Sequence, residues 1–404
     1  MYPDLSYLLH DLFGTEVDNF FSIFKSFGLM LGLAFLFCGI LLKSELKRLQ
    51  NEGKLKPIKY LDKSNVISAN DIVINALITS AIVAKIPYIA SNFDAFKGDP
   101  ASIIFSKLGN WPLGLFAGLV YAAFLYYRKT KNDSSTPVER MLSPHEKTVD
   151  IIFLAAVSGI AGGRLFSILE NFGDFLQDPF GQLFSGSGLT VYGGIITAFI
   201  VVYWYIKKLG IKPLYMMDIG GMGILLGYAV GRMGCQIAGD GDWGIVAAVQ
   251  PDWWFLPDWI WSYNYPNNVN NDGVLMSFAD PEIFRNTIGT VEEKCKAASG
   301  MRYCHELNPK VYPTPIYEIV VSFIGLGVLW NLRKKIKVAG TIFCLYLIFN
   351  GFERFFVEQI RVNERYNYLG LDWSQAQYIS AGFIILGIAG LLYLYKFRKS
   401  NPTN

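Results

Sequence analysis

Residues 227–244 read Gly-Tyr-Ala-Val-Gly-Arg-Met-Gly-Cys-Gln-Ile-Ala-Gly-Asp-Gly-Asp-Trp-Gly, so Arg232 ends an apolar, helix-length stretch and Asp240 and Asp242 follow just beyond it. An arginine in hydrocarbon costs about 3 kcal/mol or more and normally has a partner or a task there. Its planar fork matches phosphate oxygens, which makes this a built anion site. Four other polar clusters fall in or at the ends of apolar runs: Gly162-Gly163-Arg164, Tyr192-Gly193-Gly194, Tyr317-Glu318, and Arg354 with Glu358 at i, i+4 on one helix face. Taken singly, Arg354 and Glu358 read as a self-satisfied ion pair, Glu318 as an acceptor for a buried arginine, and the glycines as helix-packing positions. Jointly they say more, because Arg164, Arg232 and Arg354 would repel one another unless an anion lies between them. Asp218 precedes Arg232 by fourteen residues, on the same helix face about 21 Å away by helix rise. It is expected to pair with a basic residue near the opposite membrane face rather than to join the site.

The elements that must carry these residues are membrane helices. Of 404 residues 52% are hydrophobic, 15% aromatic and only 17% charged, with mean hydropathy +0.30, a composition that places the chain in a bilayer and makes the anion a phospholipid headgroup. Apolar windows predict spans near 20–42, 71–90, 112–128, 149–168, 189–206, 214–231, 314–332, 338–357 and 375–395, nine in all. The segments after spans one, three, five, seven and nine (Lys43 to Lys63, Arg128 to Lys147, Lys207 to Lys212, Arg333 to Lys337, Lys396 to Lys399) hold 22 of the 36 basic residues. The positive-inside rule then puts these loops and the C-terminus in the cytoplasm and the N-terminus outside. The start Met1-Tyr2-Pro3-Asp4 has no early Lys or Arg, and the first apolar run is too long and badly placed for a cleaved signal, so the first span is expected to be retained. The basic residues are topology signals scattered over loops, which excludes a nucleic-acid partner.

A shift of 79 residues superposes the segment from Asp71 on that from Asp150: Ala76 meets Ala155, Lys85 meets Arg164, Asn92-Phe93 meets Asn171-Phe172, Asp99-Pro100 meets Asp178-Pro179, Phe105-Ser106 meets Phe184-Ser185, Gly114 meets Gly193 and Tyr126 meets Tyr205. Each copy reads as a helical hairpin with a turn at Asp-Pro. The first lacks the double glycine, so the second is expected to hold the working residues. The predicted organisation is 1–70, first span and cytoplasmic loop; 71–149, extra hairpin; 150–244, core spans with the second copy at 150–208; 245–312, a small extracytoplasmic head; and 313–404, three final spans. The head carries Trp253, Trp254, Trp259 and Trp261, and ends near Cys295 and Cys304, a candidate disulfide by their short spacing in an oxidising compartment. No metal-ligand spacing is visible, and His305 is expected at the surface.

With these residues in place the chain resembles the bacterial prolipoprotein diacylglyceryl transferase family over spans one and four to nine. The family signature Gly-Arg-x-Gly-Asn-Phe-Ile-Asn-Gly-Glu-x-x-Gly is similar to residues 231–244, here with one extra residue and both asparagines and the glutamate replaced. Asp218, Gly162-Gly163-Arg164, Tyr192-Gly193-Gly194, Pro313-Thr314-Pro315-Ile316-Tyr317-Glu318 and Glu353-Arg354-Phe355-Phe356-Val357-Glu358 resemble its other motifs. Family tyrosines fall on Phe27 and Asn350, a histidine used by some members falls on Tyr192, and no histidine lies in a predicted span, so a histidine base is not expected. The resemblance implies an all-α polytopic protein whose seven-helix core plus the repeated hairpin makes about nine helices, in the bacterial cytoplasmic (inner) membrane. It implies transfer of the sn-1,2-diacylglyceryl group of phosphatidylglycerol to the lipobox cysteine of a prolipoprotein signal peptide, with a thioether formed, glycerol phosphate released and no cofactor. Arg232 and Arg354 would bind the phosphate, with Arg164, Gly193, Gly194, Gln236, Glu318 and Glu358 around the lipid and Tyr192 in the catalytic set. The thiol proton would pass to Asp240, to Asp242, or to water under the arginine field. A diverged transferase with another lipid or acceptor, and a non-catalytic lipid-binding or transport protein, are the alternatives.

Overall fold

The computed structural model describes residues 1–62, 68–98, 100–131, 138–184, 190–368 and 370–400. Lys63, Asp99 and Ser185, used in the reading above, lie outside them. The first helices are α1 (Leu5–Phe13), α2 (Ser26–Asn51), α3 (Ala69–Ser91), α4 (Phe93–Gly98), α5 (Pro100–Phe105) and α6 (Trp111–Lys131). Next come α7 (Thr148–Glu170), α8 (Phe172–Gln177), α9 (Pro179–Phe184), α10 (Val191–Lys208) and α11 (Pro213–Ala238). The last are α12 (Asp258–Trp261), α13 (Pro281–Asn286), α14 (Val291–Ser299), α15 (Thr314–Leu332), α16 (Thr341–Val357) and α17 (Gln375–Ser400). Helices therefore occupy every segment expected to span. Among the described residues six are long and apolar enough to cross a membrane: α2, α3, the stretch Pro144–Glu170, α11, α15 and Gln375–Lys396. The other three are shorter or diluted by charge, since α6 ends in Arg128, Lys129 and Lys131, α10 in Lys207 and Lys208, and α16 has 17 residues. The protein is an all-α, multi-pass membrane protein.

The chain divides into two compact units, Met1–Glu45 with Lys212–Asn404, and Leu46–Ile211. In the first, α11 packs on α15 and α16, and α16 lies along α17. Glycines set the closest crossing: a Cβ on Gly351 would stand 2.7 Å from the Ser380 carbonyl oxygen, and one on Gly387 2.7 Å from that of Cys344. Pro213 opens α11, where its missing N–H is no loss, and Gly239, in the left-handed region at φ 66°, closes it. The Asp218 carboxylate accepts from the N–H groups of Gly340 (2.8 Å) and Phe343 (2.9 Å), capping the positive end of α16. At the other end of α15, Arg333 lies 2.8 Å from buried Glu45 and 3.3 Å from the Trp330 ring centroid.

Residues 245–312 of this unit are mostly irregular, with α12, α13, α14 and a two-stranded pairing of β3 (Val274–Leu275) with β4 (His305–Glu306); the numbering counts β1 and β2 of the other unit, below. Cys295 and Cys304 are disulfide-bonded, with Cα atoms 5.5 Å apart, and pack with Ala279 and Ala298 as a small core against Leu275 and Phe284. His305 is buried rather than at the surface. Its ring meets Phe284 edge-on at 5.4 Å between centroids and its Nδ1 stands 3.4 Å from Asn271 Oδ1, because β4 places it beneath the disulfide. The segment is also tied to the N-terminal residues through Arg302 and Lys296, which bond Asp18 at 2.9 and 2.7 Å.

The second unit holds two hairpins in the same element order, α3–α4–α5–α6 and α7–α8–α9–α10, with the antiparallel pair β1 (Ile58–Asp62) and β2 (Val138–Leu142) flanking the first. Each is closed by glycines. A Cβ on Gly118 would lie 1.9 Å from Ser80 Oγ, one on Gly162 2.3 Å from the Thr197 side chain, and one on Gly193 2.3 Å from that of Phe166. Lys85, aligned with Arg164, is buried and donates to Ser106 Oγ (2.9 Å) and to the carbonyls of Leu108 (2.7 Å) and Ile103 (3.3 Å). The remaining pair, β5 (Arg365–Tyr368) with β6 (Leu371–Ser374), belongs to the first unit and leads into α17.

Candidate active site

Three helix ends of the first unit, those of α11, α15 and α16, and the segment just past α16 meet at a single carboxylate. Glu318 lies one turn into α15 and is fully buried. Arg232, six residues before the end of α11, reaches it through Nε at 2.9 Å, and Arg354, near the end of α16, through Nη1 at 2.9 Å. Arg361, just past α16, stands 3.5 Å away through Nη1. Tyr228, one turn before Arg232, donates its hydroxyl to Glu318 at 2.7 Å and offers its ring to the Arg232 guanidinium at 5.0 Å. Further pairs flank the cluster: Arg354 pairs with Glu358 at 3.3 Å, while Asp242 accepts from both Arg232 and Arg361, the latter at 2.5 Å. Three guanidiniums thus converge with three carboxylates, a formally neutral ion network that concentrates fixed N–H donors at one place.

The sequence around each residue explains its place. Thr314 at the start of α15 donates to the Asp242 carbonyl at 2.7 Å, and Gly244 N–H bonds the Tyr312 carbonyl at 2.9 Å. Ile245 N–H bonds the Ile360 carbonyl at 2.8 Å, which brings the Arg361 strand against the turn carrying Asp242. That turn needs its glycines, since Gly239 and Gly241 have φ of 66° and 96°. Glu358 is held by Ser374 Oγ at 2.8 Å and Asn363 at 2.5 Å, and Gln236 accepts from Tyr265 at 2.7 Å.

Of the residues singled out from the sequence, Arg232, Arg354, Glu318, Glu358 and Asp242 come together directly, with Asp240 two residues from Asp242. Cys235, Asp240 and Asp242 present their donor atoms within 4.8 Å of one another; two guanidiniums already claim Asp242, so the group reads as part of the ion network and not as a metal centre. Burial works to raise the Asp242 carboxyl, but Arg232 and Arg361 outweigh it and hold it below the ordinary carboxylate value. Asp240 lacks such partners, and burial holds its carboxyl above that value. Arg164, Tyr192, Gly193 and Gly194 belong to the second unit, where Arg164 is buried and Gly193 and Gly194 take up the contact of α10 with α7: a Cβ on Gly194 would lie 2.9 Å from the Gly159 carbonyl oxygen. Arg361 and Tyr228 were missed. Tyr228 four residues before Arg232 is a helical signal that would have found it; Arg361 lies past α16 in extended backbone, where spacing gives no such signal.

Residues 102–393, more than half of the chain, match the family model of prolipoprotein diacylglyceryl transferase. The chain belongs to that family. Similar curated relatives are named phosphatidylglycerol–prolipoprotein diacylglyceryl transferase. One from Dehalococcoides mccartyi is 27% identical over 64% of this chain and 81% of its own length. One from Streptococcus uberis is 26% identical over 75% of this chain and 98% of its own. One from Clostridium tetani is 28% identical over 62% and 81%. As a member of the prolipoprotein diacylglyceryl transferase family the chain is a transferase, and the matched stretch carries all three arginines of the cluster.

Proposed function

We propose that this transferase takes the sn-1,2-diacylglyceryl group of phosphatidylglycerol to the lipobox cysteine of a prolipoprotein signal peptide, the first step of lipoprotein maturation, with Arg232, Arg354 and Arg361 as its phosphate cradle. The convergence of three arginines on buried Glu318 carries the reading. In the reaction the thiolate sulfur forms a bond to the terminal glyceryl carbon, the carbon–oxygen bond to phosphate breaks, and its electron pair stays on the departing phosphate oxygen. A phosphodiester with one negative charge becomes a glycerol phosphate with two, so the charge at phosphorus oxygen rises along the reaction where the guanidiniums stand. That is the condition under which fixed donors lower a barrier rather than merely bind. The thiol must lose its proton to attack. Asp240, held above the ordinary carboxylate value by burial and with one oxygen unbonded, suits the role of acceptor better than Asp242, whose charge is committed to two arginines. Glu318 orients the arginines, and Tyr228 orients Glu318. The positive-inside reading puts the basic loops in the cytoplasm and the cluster on the outer side of the membrane, where exported acceptors are presented.

The test is incubation of detergent-purified protein with phosphatidylglycerol and a lipobox peptide, read by mass spectrometry, beside Arg232→Ala. A diacylglyceryl adduct on the cysteine, reduced roughly 100- to 1000-fold in the variant, is the expected result. Near-normal turnover in the variant would remove Arg232 from the site, and no adduct from folded wild-type protein would remove phosphatidylglycerol or the peptide as substrate.

A further inference from the structure

One carboxyl beside the cluster is unaccounted for. Glu353 immediately precedes Arg354 on α16, is 7% exposed, and neither of its oxygens has a hydrogen-bond partner. It lies within electrostatic reach of Glu318, Arg354, Arg232 and Arg361, yet none of them bonds it. It lines a groove of about 520 Å³ between α15 and α16, whose other walls include Val321, Val328 and Leu332 of α15 and Leu345, Phe349 and Phe356 of α16. An ionised carboxyl is costly to hold unpaired in such surroundings, whereas a protonated one has a single O–H to donate, for which the described residues supply no acceptor. The groove runs from the level of Arg354 down α15 from Val321 to Leu332, about 16 Å by helix rise. Glu353, next in sequence to Arg354, is its polar lining residue and the others are apolar, so a lipid whose headgroup rests on the arginines would present an acceptor and then a hydrocarbon chain to it.

We propose that this groove holds one acyl chain of the substrate phosphatidylglycerol, with the Glu353 carboxyl donating a hydrogen bond to the ester carbonyl of that chain while the phosphate rests on the arginines. The inference rests on the function proposed above. Glu353 is a positioning residue in this account: by fixing the ester it sets how far the glyceryl carbon stands from the arginines. An ether-linked chain has no carbonyl at that place, so the groove distinguishes diacyl from dialkyl lipids of identical headgroup, a preference that apolar burial alone does not supply.

The experiment compares diester and diether phosphatidylglycerol of equal chain length in two readouts, binding by native mass spectrometry and transfer to a lipobox peptide. Wild-type protein is expected to bind the diester about fivefold more tightly, the worth of one hydrogen bond. Glu353→Gln, which keeps a donor, should retain the preference, and Glu353→Leu should abolish it. Val328→Phe, which fills the lower groove, should weaken long-chain lipids and spare dioctanoyl phosphatidylglycerol. Equal wild-type binding of the two lipids, or an unchanged preference in Glu353→Leu, overturns the proposal even if transfer proceeds. A preserved, Glu353-dependent ester preference without any transfer supports the groove and overturns the reaction instead.

Discussion

At the scale of single residues the two neighbouring aspartates are separated by what faces them. Asp242 bridges Arg232 and Arg361, and its depressed carboxyl contributes an ion-pair stabilisation that is present above the ordinary aspartate value and lost only as pH falls through the lower, folded one. Asp240 is shifted the other way, by burial. If it accepts the thiol proton, kcat/KM rises with pH through an inflection above the usual carboxylate range; Asp240→Asn should remove that limb and lower kcat, while Asp242→Asn should leave it in place. A limb that survives in Asp240→Asn would give the proton to water. Asp242→Asn bears on binding: it frees two guanidiniums from a competing anion, and tighter retention of phosphatidylglycerol in native mass spectra is the expected outcome. The identities of Arg232, Arg354, Glu318 and Glu358 were legible because charge in apolar sequence is costly and therefore informative. Arg361 was not, because it lies past the predicted end of its span, where an arginine looks like a surface residue until a strand pairing places it. Glu353 was visible only as one member of a motif, since lack of a partner is a property of packing and not of sequence.

Helix positions followed from hydropathy, and all nine expected segments are helical among the described residues. Less legible was what each small or charged residue does within its helix. Asp218 was expected to seek a cation, and nothing in its spacing announces that its carboxylate caps α16, a role fixed by the neighbouring helix start. The aligned cations Lys85 and Arg164 share a register, but Lys85 is spent on the carbonyls that end its own hairpin loop, which no spacing announces. The glycines of the two hairpins are the elements' tightest constraint. On Gly118 a Cβ would stand 1.9 Å from Ser80 Oγ and 2.7 Å from the Ala76 carbonyl oxygen, and helix backbone cannot yield as a flexible side chain can. Gly118→Leu should therefore spread α3 from α6 at a cost of about 1–3 kcal/mol, read as a lowered thermal midpoint in detergent. Gly220→Ala, with nothing within 4 Å of its added Cβ, should show no such loss.

For the molecule as a whole, the segment 245–312 is the mostly irregular part of an otherwise helical protein, and its stability is set by different means. Its core is two alanines and a disulfide, with Leu275 and Phe284 against them, too little apolar area to order an irregular chain unaided. Closing a loop of nine residues' separation limits the unfolded segment and contributes about 2.5 kcal/mol in the chain-entropy account, so Cys295→Ser with Cys304→Ser should increase proteolytic cleavage within 245–312 while the spans stay protected. His305 adds a pH dependence to the same core. Burial lowers its pKa, against a smaller opposing pull from Asp272, so below the ordinary histidine value the unfolded segment binds a proton that the folded one refuses. Stability is then full at neutral pH, declines as pH falls below about 6.5, and levels off once the folded ring also protonates. The rate of cleavage within the segment, followed from pH 7.5 to 5, should rise in the wild type and stay level in His305→Phe, whose ring keeps the contact with Phe284 and does not titrate; parallel rises in both would assign the dependence to another group.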